Sequence, residues 1–224
     1  MASRKAAKRA PLNRTKVLAA ALKILDAEGL AALSMRRLAA ELGVEAMSLY
    51  NHVADRRDLL DGLTNLVLAQ IPPPDPALPW QRRLEAIAMG LYGALLAHPP
   101  LVLLLAAADA RISDPAVMGG LDMIAAALAE SGLRPAQQVS AFRGLIALCF
   151  GFVLVHTQGL SSSKATAEVQ WARWDSTQWM RPDLPHLARL APQFLKTHAD
   201  DDLRFMLKAY LDALAAQAQA RPKR

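Results

Sequence analysis

The sequence predicts an all-α protein. A three-helix N-terminal unit containing a helix-turn-helix precedes a larger C-terminal helical domain. Three observations predict this. Apolar residues make up 53 % of the 224 positions, led by Ala and Leu, and aromatic residues only 5 %, a balance that favours helices over strands. Apolar side chains recur three and four apart in one segment after another, with no alternating strand pattern and no internal repeat. Helix start and stop signals punctuate those segments at the expected places.

The first helix is expected from Asn13, a good cap, to Glu28, with Gly29 ending it. Val17, Ala21 and Ile24 form one apolar row on it, and Leu18, Leu22 and Leu25 the next. Ser34 caps a second helix whose apolar face is Leu38, Ala39 and Leu42, and Gly43 supplies a sharp turn. A short third helix starts near Glu45, hides Leu49 and Val53, and extends to Val53 as a rod. Asp55 caps a fourth, carrying Leu59, Leu60, Leu63, Leu66, Val67 and Ile71.

Ile71-Pro72-Pro73-Pro74-Asp75-Pro76-Ala77-Leu78-Pro79 is the clearest boundary, because consecutive prolines cannot continue a helix. Residues 1–12 are read as a basic arm, 13–71 as the helix-turn-helix domain with its connecting helix, 72–79 as a linker and 80–224 as a second domain. In that domain, helices are expected over Trp80–Ala97, Leu101–Ala110, Asp114–Glu130, 136–157 and Asp200–Ala220. Asp114-Pro115 is a strong start signal. Gly144–Val155 is a twelve-residue apolar run, too short to span a bilayer and suited to a buried core helix. Gly159–Ser163 reads as a loop, and 164–199 as irregular.

The third helix leaves Ala46, Met47, Ser48, Tyr50, Asn51 and His52 outward. Small and hydrogen-bonding side chains on a short helix suit a major groove, where base edges offer donors, acceptors and thymine methyls. An ordinary pair of packed surface helices has the same spacing. Charge favours the first reading. The net charge is +6, and residues 1–16 hold six cations (Arg4, Lys5, Lys8, Arg9, Arg14, Lys16) and no acid. Such a basic, Ala-rich start has no apolar periodicity and reads as an arm that follows phosphates, or else as a solubilising tail.

The N-terminal segment resembles the TetR family of bacterial transcriptional regulators. The resemblance rests on Asn13–Ala27 with Gly29, Leu33–Ala39, Leu42-Gly43-Val44, Ser48–Val53 and Arg56–Asp61. It implies that Arg36 contacts a base or phosphate and that Ala46, Met47 and Ser48 face bases. It further implies that Tyr50 and His52 bind phosphate oxygens and that Arg56 meets phosphate at a helix N-terminus. The downstream half is similar to the tetracycline-repressor subgroup, with Trp80 opening the second domain and Asp183–Leu187 preceding the last helix. The subgroup's metal-side histidines have no counterpart in Val102–Leu105 or in Ile71-Pro72. No metal, no cofactor and a ligand other than tetracycline are therefore expected.

The expected ligand pocket is lined by Leu91, Leu95, Leu104, Met118, Leu121, Phe142, Leu145, Cys149 and Phe152, with His156 and Gln158 as its polar groups; each apolar member could equally be core. A single helix-turn-helix makes few contacts, so a homodimer is expected, paired through helices 136–157 and 200–220 on near-palindromic DNA with half-sites about 34 Å apart. The fourth helix, tied to both domains across Pro72–Pro76, is the expected lever. The whole reads as a cytoplasmic, ligand-released repressor with no membrane partner. The alternative is a ligand-binding helical protein with a degenerate helix-turn-helix.

Catalysis finds no support. Ser161–Lys164 holds a serine-x-x-lysine spacing without a companion motif. No GxGxxG, P-loop or HExxH occurs, and the five histidines are dispersed. Cys149, the one cysteine, excludes a disulfide framework and reads as an inert core residue.

Overall fold

The computed structural model describes residues 11–106, 112–157, 181, 183–194 and 199–220. Those residues form helices and no strands. In order they are α1 (Arg14–Glu28), α2 (Met35–Leu42), α3 (Ala46–Leu49), α4 (Arg56–Leu68), α5 (Trp80–Ala97), α6 (Pro100–Ala106), α7 (Pro115–Glu130), α8 (Pro135–His156), α9 (Pro185–Phe194) and α10 (Ala199–Gln219).

The starts follow from local chemistry. The side chains of Asn13, Ser34, Asp55 and Asp114 each accept from a freed backbone N–H in the first turn of α1, α2, α4 and α7. Pro occupies the first position of α7 and α8, where its missing N–H costs nothing. Gly43 adopts φ 64°, ψ 42°, the left-handed conformation that turns the chain between α2 and α3.

α1 packs on α2 and α4, and α2 on α3. In the C-terminal half α5 lies against α7 and α8, and α10 closes on α8, where the Tyr210 hydroxyl donates to the Ala141 carbonyl at 2.7 Å. α5 and α6 meet at a bend of 116°, after which α6 returns to α4. The buried residues of both halves form a continuous core, in which α6 contacts both α4 and α8.

Several elements differ from expectation. α3 is one turn, not a rod to Val53: Tyr50 N–H donates to Met47, and His52 and Val53 N–H both to Leu49. Leu49 and Val53 are both anchored in the core, and Asp55 must be extended to cap α4, so the chain tightens between them. α4 ends at Leu68 rather than Ile71, because the residue before Pro72 is pushed out of the helical region. α6 ends at Ala106, and residues 107–110 lie outside the described residues. The stretch read as irregular contains α9. α8 is helical as expected but is not a buried core helix in the single chain. It is long and apolar enough to cross a membrane by length and hydropathy, with 22 % of that apolar window buried. Its inner row, Ala141, Leu145, Cys149 and Val153, is buried, while Val139 and Val155 are exposed.

Candidate nucleic-acid interface and apolar cavity

The surface formed by α2, α3 and the start of α4 is held from behind. Arg14 of α1 reaches the Asp58 carboxylate through two bonds of 2.7 and 2.8 Å and also donates to the His52 carbonyl at 2.9 Å. Asp58 accepts a further bond from the Ala54 N–H at 2.8 Å. The hydrogen-bonded guanidinium holds the Asp58 carboxyl below the usual carboxylate range, and the carboxylate raises Arg14. This clamp fixes the α3–α4 turn, and with it His52, relative to α1. It also takes Arg14 out of the cations that charge counting assigned to the basic start.

Arg37 is likewise engaged. It pairs with Glu28 of α1 and with Glu41 one turn on, which raises its own pKa and lowers that of Glu28. Its neighbour Arg36 is exposed and makes no ion pair among the described residues, and the same holds for Arg56. Met47 is 74 % exposed and Tyr50 45 %. Asn51 is exposed, and Ala46, Ser48 and His52 are half-buried. The exposed side chains expected to face DNA thus have no ion pair among the described residues that would compete for a phosphate or base, whereas Ala46 packs partly against the core.

A cavity of about 560 Å³ lies between the two halves, within the size range of small-molecule sites. One wall is the last turn of α4 and the connector: Leu68, Ala69, Ile71, Pro72, Pro73 and Pro74. The others come from Ile87 and Leu91 of α5, Leu105 of α6, Ile112, then Ala116, Val117, Gly119, Gly120, Leu121, Met123 and Ile124 of α7, and Phe142, Ile146 and Phe150 of α8. Every lining side chain is apolar.

Of the expected pocket, Leu91, Leu121 and Phe142 line this cavity. Leu95, Leu104, Leu145 and Cys149 do not; they are buried in the core beside it. Met118 is largely exposed, and neither it nor Phe152 lines the cavity. The α8 rows explain the shift. Phe142, Ile146 and Phe150 share one helical row, and Leu145 and Cys149 belong to the adjacent row facing α5. The Cys149 thiol contacts the Ala88 carbonyl, and burial pushes its pKa up to about 12. His156 ends α8, but its side chain lies outside the described residues, as do Gln158, the Ser161–Lys164 spacing and the arm through residue 10. Sequence reasoning missed the connector as a cavity wall. The signal was available in Ile71 and the prolines, which are apolar and adjoin the helix carrying the expected lever.

A polar contact spans the same boundary. His98, at the α5–α6 bend, places Nδ1 2.9 and 3.0 Å from the two carboxylate oxygens of Asp26 on α1. A carboxylate only accepts, so Nδ1 is the protonated nitrogen of this ring. No group of three or more His, Cys, Asp or Glu side chains that could hold a metal occurs among the described residues.

Two family models match the chain. Residues 17–63 match the family model of bacterial regulatory proteins, tetR family, and residues 72–218 that of the tetracyclin repressor-like C-terminal domain. The HTH-type transcriptional repressor DrrR1 of Streptomyces coeruleorubidus is 38 % identical over 134 residues, covering 58 % of this chain and 48 % of that protein. The chain spans about half the length of the curated relatives it matches. Among solved structures, ActR of Streptomyces coelicolor in complex with actinorhodin superposes with a TM-score of 0.76 at 30 % identity, covering 94 % of this chain and 99 % of that one. A structure of BioQ with its natural double-stranded DNA operator superposes with a TM-score of 0.60 at 25 % identity, covering 92 % of this chain and 99 % of that one.

Proposed function

The chain belongs to the TetR family of bacterial regulatory proteins, and on that premise we propose that it is a ligand-responsive transcriptional repressor. It binds operator DNA as a homodimer and is released by a small apolar effector. The observation that carries this reading is the cavity wall: the connector ending the helix-turn-helix unit is itself a lining surface of the cavity. Whatever fills that space touches the DNA-binding unit directly.

The unpaired, exposed Arg36 and Arg56 support roles on DNA, Arg36 at a base edge and Arg56 on phosphate. Ala46, Met47 and Ser48 are assigned to bases, and Tyr50, Asn51 and His52 to the backbone beside them. The arm adds sequence-independent attraction. Residues 13–71 are the DNA-binding unit and 80–224 the effector and pairing domain, with the connector between them. Pairing through the exposed apolar faces of α8 and α10 places two recognition surfaces one helical turn apart.

An uncharged effector fits, because the lining offers no side chain to compensate a buried charge. That ActR and BioQ were solved with a small molecule and with DNA respectively supports both halves of the reading. The chain acts by binding, without catalysis, in the cytoplasm where its DNA lies.

The test is operator selection. The full chain is used to enrich duplexes from a random-sequence library, and the winners are measured by fluorescence anisotropy. A near-palindromic site bound with strong salt dependence is the expected result. Enrichment of no sequence refutes the proposal.

A further inference from the structure

We propose that the contact of Ile71 with Gly90 is the positioning contact that sets α4 for DNA binding, and that losing it gives the released state. This inference rests on the repressor reading above.

Gly90 stands in the middle of α5, where glycine is a poor choice for helix stability. A Cβ there would lie 2.8 Å from Ile71 Cγ2, closer than carbon atoms can pack. The absent methyl group is what lets the connector seat on α5. Cγ2 belongs to a β-branched side chain and sits one bond from Cβ, so it cannot swing aside as the tip of a longer chain would. A side chain at position 90 must move Ile71 itself.

Ile71 is tied to three things at once. Its N–H donates to the Leu68 carbonyl at 3.2 Å, just as Gln70 N–H donates to Val67, so turn hydrogen bonds tie its backbone to the end of α4. Its side chain rests on Gly90. It also lines the cavity beside Pro72 and Pro73. A molecule filling the cavity presses on the residue whose seat on α5 fixes the end of α4. The opposite end of α4 carries Asp58, clamped to Arg14 and through it to the His52 carbonyl. A displacement at Ile71 therefore reaches the recognition surface through one helix.

Gly93 provides a control on the same helix. A Cβ there meets nothing within 4 Å, so Gly93→Ala makes the same chemical change without the push.

The experiment compares operator affinity for the full-length protein and its Gly90→Ala, Gly93→Ala and Ile71→Ala/Gly90→Ala variants, on a duplex selected by the unsubstituted chain. Circular dichroism and sedimentation establish that each variant is folded and in the same oligomeric state. Gly90→Ala is expected to weaken operator binding roughly tenfold. Gly93→Ala should bind as the unsubstituted chain does. Truncating Ile71 in the double variant leaves its Cβ 4.0 Å from the methyl group added at position 90, an ordinary packing contact that takes the place of the original one and reseats the connector, and should restore most of the affinity. If Gly90→Ala does not fold, Ile71→Phe pushes the connector from the other side and should give the same loss. Unchanged binding, a loss that truncating Ile71 does not rescue, or an equal loss in Gly93→Ala would overturn the inference while leaving the repressor reading intact. Failure of the unsubstituted chain to select any duplex would overturn both.

Discussion

Asp26 and His98 hold each other across the boundary between the two halves, 72 positions apart in sequence and 2.9 Å apart in space. The pair ties α1 to the α5–α6 bend, next to the helix that returns to α4. Both side chains are partly exposed, so the energy involved is modest, roughly 0.2–1 kcal/mol. Asp26→Asn keeps the shape and removes the charge. It should lower the melting temperature by no more than about 4 °C and weaken operator binding a few-fold by loosening the two halves. Calorimetry and anisotropy read the two effects separately. An Asp26→Asn protein indistinguishable in both would show that the pair does not couple the halves.

Neighbouring arginines should behave differently. Arg36→Ala is expected to cost roughly 1–3 kcal/mol of discrimination at one base pair while sparing other positions. Arg56→Ala should weaken all duplexes alike and reduce the slope of log affinity against log salt by about 0.9. Arg37→Ala, which removes a side chain already paired with Glu28 and Glu41, should affect stability more than DNA affinity. Binding of a panel of single-base operator variants at several salt concentrations separates the three.

Deleting residues 2–11 removes four of the cations, Arg4, Lys5, Lys8 and Arg9. If they lie on phosphates, the salt slope falls by up to roughly 3–4, with little change in melting temperature. An unchanged slope would mark them as a solubilising tail.

Asp58 links stability to acid. Its folded pKa lies below the ordinary value of 3.8, so the unfolded chain binds a proton more readily. The clamp's contribution is therefore fully present above that ordinary value and is lost as pH falls through the depressed one. Asp58→Asn should be less stable at neutral pH, and its stability should decline less as pH falls below about 4. Urea titrations at several pH values measure this directly. Arg14 has the opposite sign: its raised pKa adds stability that is lost only as pH rises far into the alkaline range.

Cys149 should be chemically silent. With its thiol buried and its pKa pushed up to about 12, the thiolate is scarce at neutral pH. Iodoacetamide at pH 8 should leave the folded protein unmodified and alkylate it fully in denaturant. Rapid labelling of the native chain would mean that the α5–α8 packing opens readily.

The parts of the fold legible in the sequence were those written by local chemistry. Asn13, Ser34, Asp55 and Asp114 announce helix starts because a short side-chain oxygen bonds its own following N–H groups, which needs no distant partner. Gly43 announces its turn by its left-handed backbone. Met47, Tyr50 and Asn51 are exposed as expected, because Leu49 and Val53 anchor the segment in the core, whereas Ala46 packs partly against that core. The cavity was harder. Leu145 and Ile146 are adjacent and equally apolar, yet one faces α5 and the other the cavity. Only the tertiary rotation of α8 decides between them. α9 escaped notice because it carries Pro192 inside it, a residue that normally argues against a helix, and Gly90 because its reason lies nineteen residues upstream, at Ile71.

Three consecutive prolines follow Ile71. None can donate a backbone hydrogen bond, and each ring restricts its own rotation and that of the residue before it. A glycine- and serine-rich tether would absorb a small push as slack; this strut has little slack to offer. The span between the two halves therefore keeps its length, and a shift of an ångström at one end arrives at the other as motion of the whole unit.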